Sequence, residues 1–123
     1  MKEKTKNNLQ KAAAKLRKFL EKKNLSELEQ AGVIQAFEFT YELLWKALKE
    51  KAEEEGLSAP SPRSAFKAAF QLHIVTDEKL FLSMIEDRNL TCHTYNETLA
   101  HQIFLRIQDR YVSAIEAVVS SII

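Results

Sequence analysis

A chain of 123 residues can build one modest hydrophobic core but not several, and its 46% apolar content excludes a disordered polymer. Two Gly, two Pro and one Cys leave few helix breakers and no internal disulfide, which points to long helices in a reducing, cytoplasmic setting. Net charge is +1, no apolar run reaches the length of a membrane span, and the Lys- and Asn-rich start has no apolar signal core.

Residues 5–23 read as the first helix, with Leu9, Ala12, Ala13, Leu16, Phe19 and Leu20 on one stripe. Lys11, Lys15, Arg17, Lys18 and Lys22 lie mostly off it. Residues 1–23 hold nine Lys/Arg against Glu3 and Glu21, a local charge of +7. Such a face could bind RNA phosphates. Without interleaved exposed aromatics the simpler reading is a solvated face, balanced in part by residues 24–55, which carry −5.

Ser26 and Glu29 fit a capping box that opens the second helix. It runs to about residue 55 and closes at Gly56. Ile34, Phe37, Tyr41, Leu44, Leu48 and Ala52 form its seam. Val33, Phe39, Leu43 and Trp45 widen the apolar surface, as expected either of the central helix of a bundle or, the reading preferred, of one that also meets a second copy of the chain. Ser61-Pro62 starts a short helix over 62–72 with Ala65, Phe66, Ala69, Phe70 and Leu72. His73 at its end has no ligand partner at metal spacing. Thr76 or Asp77 caps the fourth helix, whose stripe is Leu80, Phe81, Met84 and Ile85, with Leu90 a further candidate. Asn96 caps the last helix, residues 97–122, with a seam of Leu99, Ile103, Ile107, Ala114, Ile115, Val118 and Ile122. Phe104, Tyr111, Val112 and Val119 broaden that face, and His101 reads as a surface residue.

No segment alternates as a half-buried strand does. The expectation is an all-α single domain over residues 1–123: an antiparallel up-and-down bundle of four long helices and one short one, assembled as a homodimer. No metal or cofactor is expected.

The residues that carry chemistry lie at the junction of the last two long helices, Asp87-Arg88-Asn89-Leu90-Thr91-Cys92-His93-Thr94-Tyr95. Arginine offers a fixed fork of donors to phosphate, histidine carries a proton near neutral pH, and tyrosine has a hydroxyl open to modification. In an unbroken helix, positions five apart differ by about 140°, so Arg88 and His93 would diverge, while Arg88 and Tyr95 would align. Sharing a cleft requires the helix to end or loosen between them, or a second subunit to complete the site. Asn89 and Thr91 make local backbone bonding there plausible.

Three stretches, in this order, resemble one known family. Residues 31–46, AGVIQAFEFTYELLWK, resemble its second helix. Pro62-Arg63 with Ala65-Phe66-Lys67 resembles its third, and residues 87–95 resemble its motif. The family is the nucleotidyltransferase substrate-binding proteins, a branch of the HEPN superfamily, and the likeness spans roughly residues 27 to 111. Cys92 stands where a small polar residue is common. The resemblance implies a dimerising helical bundle, and as partner a minimal nucleotidyltransferase acting as antitoxin. It also implies a metal-independent endoribonuclease toxin acting on RNA. In that reading Arg88 and His93 are the catalytic pair, Asn89 and Asp87 support them, and Tyr95 receives AMP from the partner. The alternative is a non-catalytic substrate-binding subunit using the same residues for recognition. A third is a purely structural dimeric bundle.

Overall fold

The computed structural model describes residues 1–123. In chain order the helices are α1 (Glu3–Leu20), α2 (Glu27–Glu54), α3 (Pro62–Gln71), α4 (Glu78–Leu90), α5 (Glu97–Arg106) and α6 (Val112–Ile122). A single 3₁₀ turn (Thr91–His93) follows α4, and a π turn (Ile107–Tyr111) joins α5 to α6. The chain is all-helical, and no helix is long and apolar enough to cross a membrane.

Local chemistry sets most helix ends. The Ser26 hydroxyl accepts from the Glu29 N–H at 3.1 Å, and the Glu29 carboxylate accepts from the Ser26 N–H at 2.9 Å, so two donors with no partner inside the helix are satisfied. At the other end of α2, Gly56 takes φ 80°. The Gly56 and Leu57 N–H groups then bond back to the carbonyls of Glu53 and Ala52, the pairing of a left-handed helix stop. Ser61 caps α3 with Pro62 in its first turn, and Asp77 rather than Thr76 caps α4. His73 closes α3 in the glycine-like conformation, at φ 62°. First-helix boundaries differ from expectation: α1 stops at Leu20, not residue 23. Residues 21–24 bend instead, and Asn24 at φ 56° turns the chain toward the Ser26 cap.

Consecutive helices pack on one another, α1 on α2, α2 on α3 and α3 on α4; α5 returns to α2 and α6 to α1. This is the pattern of an up-and-down bundle with α2 at its centre. One cluster of buried apolar side chains draws on every helix. Its spine is a run of aromatic contacts from Tyr111 to Phe37 (centroids 5.6 Å apart), then Tyr41, Phe66 and Phe81. Thr40, buried in α2, donates to the Ala36 carbonyl at 2.7 Å and lies 3.2 Å from that of Ala12 on α1. Phe19 and Leu90, expected on core stripes, are each 37% exposed. Phe19 sits at the edge of its stripe under Lys15, whose Nζ lies 5.7 Å from the ring centre. Phe39, on the broad face of α2, is 57% exposed.

The π turn has a sequence cause. Ile103, Ile107, Tyr111 and Ile115 are all buried, and each step of four over-rotates an α-helix by about 40°. Three steps would carry the seam about 120° off the core. Taking one more residue into a single turn removes about 100° of that drift. Tyr111 ends this turn fully buried.

The basic surface of α1 is only partly free. Arg17 makes a two-point contact with Glu116 on α6, at 2.9 and 2.5 Å, and Lys22 bonds Glu29 at 2.6 Å.

Candidate functional site

Asp87 and Arg88 occupy the last turn of α4 and face different surroundings. Asp87 continues the buried stripe of Phe81 and Met84 and is 4% exposed. Its carboxylate accepts from Arg106 Nε and Nη2, both at 2.7 Å, and from the Tyr111 hydroxyl at 2.5 Å. A buried carboxylate is tolerable only when its acceptor sites are filled this way. Burial, then the bond to Asp87, pushes the Tyr111 phenol pKa up; the same carboxylate raises that of Arg106. Asp87 therefore fixes the end of α4 to the π turn, and so sets where the next residue stands.

Arg88 turns toward α2. Its Nη1 lies 3.3 Å from Glu38 and donates to the Thr91 hydroxyl at 3.1 Å; its Nε lies 3.6 Å from Glu42. Thr91 in turn donates to the Arg88 carbonyl at 2.7 Å. Nε is enclosed yet has no hydrogen-bond partner, and Nη2 donates no hydrogen bond within the chain. Glu42 is itself held by the indole N–H of Trp45 at 3.1 Å.

The helix loosens between Arg88 and His93. After Leu90 the chain tightens into the 3₁₀ turn, with Thr91 buried and Cys92 and His93 exposed. Tyr95 is 83% exposed, its hydroxyl 3.5 Å from His93 Nδ1, with the two rings edge to face. Asn89 is exposed, and its carbonyl accepts from the Cys92 thiol at 3.1 Å. Within one chain, then, His93 and Tyr95 come together, and Arg88 joins Glu38 and Glu42. No hydrogen bond joins Arg88 to His93.

Sequence reasoning missed Glu38, Glu42, Arg106 and the polar role of Tyr111. Asp87 was partly visible: it lies three residues after Met84 and four before Thr91, on the buried face of α4. Glu38 and Glu42 are one turn apart on α2, a like-charge pair that calls for a cation between them. His101, expected unpartnered at the surface, is exposed, but its Nδ1 lies 3.0 Å from the Gln30 side-chain oxygen.

The structure is thus an α-helical bundle with Arg88, His93 and Tyr95 at the junction that follows its fourth helix. The chain belongs to the family described as nucleotidyltransferase substrate binding protein like, whose model matches residues 4–122. A crystal structure from Thermus thermophilus is similar at 38% identity and TM-score 0.86, over 93% of this chain and 98% of that one. A Haemophilus influenzae structure, described as the fold of a substrate binding domain of a nucleotidyltransferase, shares the fold at TM-score 0.84 and 21% identity, over 95% and 98%. A Haemophilus influenzae protein named probable ribonuclease HepT is 29% identical over 84 residues, 64% of this chain and 58% of that relative.

Proposed function

We propose that residues 1–123 act as one domain in the cytoplasm, the HEPN component of a two-component pair with a minimal nucleotidyltransferase, and that two copies form a metal-independent endoribonuclease. The observation that supports this reading is the loosened α4–α5 junction, which exposes His93 and Tyr95 side by side one turn beyond Arg88. His93 takes the proton from an RNA 2′-hydroxyl as that oxygen attacks the adjacent phosphorus. Arg88 offsets the charge gathering on the phosphate oxygens. The P–O5′ bond breaks, leaving a 2′,3′-cyclic phosphate and a 5′-hydroxyl that takes up a proton. The partner controls the step: the Tyr95 oxygen attacks the α-phosphate of ATP, releasing pyrophosphate and a proton, and the AMP left on Tyr95 crowds the site with an anion. A relative named as a ribonuclease is consistent with this chemistry.

A second reading is favoured by one feature. Arg88 is engaged with Glu38 and Glu42 and makes no bond to His93, as suits a subunit that binds the nucleotidyltransferase or its substrate without cutting RNA. Incubation of the purified protein with RNA in excess chelator separates the two. The nuclease reading expects cleavage that falls by about 100-fold or more in His93→Ala, and AMP found on Tyr95 by mass spectrometry after co-expression with the nucleotidyltransferase. Equal RNA integrity with the parent and His93→Ala proteins would leave the binding subunit as the function.

A further inference from the structure

From the surroundings of Arg88 we infer that Glu38 and Glu42 act as an electrostatic mask, which decides whether this guanidinium can engage an RNA phosphate. The inference rests on the proposed role of Arg88 as a phosphate contact. One guanidinium between two carboxylates leaves a trio of net charge −1, so an approaching phosphate meets repulsion where a free arginine would attract it. Both acids are only partly exposed, 30% and 41%, which limits screening by water and salt.

The fit is loose rather than locked. Contacts of 3.3 and 3.6 Å are long for an arginine–carboxylate pair, and Nε is enclosed without a hydrogen bond. An enclosed donor left unsatisfied costs free energy, so the masked arrangement is poised to give way. Nη1 is occupied by Glu38 and Thr91, whereas Nη2 donates no hydrogen bond within the chain and is the donor left for a phosphate oxygen. Asp87, the preceding residue, cannot exchange into this trio because its acceptors are filled by Arg106 and Tyr111.

The test is binding of a fluorescent single-stranded RNA, read by anisotropy across a salt series, with the whole chain and with Glu38→Gln, Glu42→Gln and the double variant. Circular dichroism checks the fold of each. The double variant is expected to bind roughly five- to tenfold more tightly, each single variant less so. The slope of log affinity against log salt should steepen by roughly 0.7, one further phosphate neutralised. In an Arg88→Ala background the gain should vanish. Glu86→Gln, an exposed acid nearby that makes no contact with Arg88, should change affinity little. The mask is overturned if the double variant gains nothing, if the gain survives Arg88→Ala, or if Glu86→Gln matches it. Binding is read without cleavage, so an RNA that is bound but left intact counts against the nuclease and not against the mask.

Discussion

Asp87 and Arg88 are neighbours on one helix, and their fates differ. The carboxylate is buried, three donors fill it at 2.5–2.7 Å, and it ties α4 to the end of α5 and the π turn. The guanidinium is about one-third exposed, held by contacts of 3.1–3.6 Å, with one donor unsatisfied. A helix turns about 100° per residue, so one step along the chain separates a residue that holds the structure from one free to change partners. A phosphate contact of the kind proposed for Arg88 needs both: a backbone that does not move and a side chain that can.

Three substitutions probe that contrast, the largest effect first. Asp87→Ala strands Arg106 and the Tyr111 hydroxyl. The loss should be about 3 kcal/mol, the low end for a broken buried pair because Arg106 is partly solvated, read as a lowered midpoint in chemical denaturation. A loss below about 1 kcal/mol would mean that the clamp is not structural.

Tyr111→Phe keeps the ring that stacks on Phe37 and removes one donor to Asp87. It should cost about 1.5 kcal/mol at pH 7, as expected for a hydrogen bond to a charged group. The alkaline behaviour sharpens this. Burial pushes the Tyr41 phenol up to about 12 and raises that of Tyr111 as well. A phenol whose native pKa exceeds its unfolded value of about 10 stabilises fully below that pH, and the contribution is lost as pH rises through the native value. Denaturation midpoints should therefore fall above pH ~10, and fall less steeply in Tyr111→Phe. Equal slopes would show that Tyr111 ionises as freely folded as unfolded.

Arg88→Ala should have the smallest effect on stability, below about 1 kcal/mol, since partly exposed ion pairs contribute little. The same denaturation series that exposes the loss in Asp87→Ala should leave Arg88→Ala nearly unchanged. A large drop would place Arg88 with Asp87 as a structural residue.

Much of the fold was legible because it is written locally. Ser26 with Glu29, Gly56, and Ser61-Pro62 each mark a helix end within four residues of sequence, and each does so in the structure. Angular arithmetic on Arg88 and His93 named a loosened helix as one way for them to share a cleft, and the helix does loosen there. The partners of the site were not legible, because they arrive from a distance. Arg106 and Tyr111 lie 19 and 24 residues from Asp87, and Glu38 and Glu42 belong to another helix. The π turn left a trace in the repeated four-residue spacing from Ile103 to Ile115, easily mistaken for a broad apolar face. His73 and Asn24 reverse the chain with ordinary side chains where glycine would be the obvious signal.

The three tyrosines draw out one last consequence. Tyr41 and Tyr111 are 2% and 0% exposed, and Tyr95 is 83% exposed. The folded protein thus offers a single phenol to anything arriving from solvent. A nitrating reagent, an iodinating one or a nucleotide-transferring enzyme would find the same target without having to read the residues around it. Selectivity among tyrosines is achieved by concealment, so partial unfolding would erase it before it erased the chemistry.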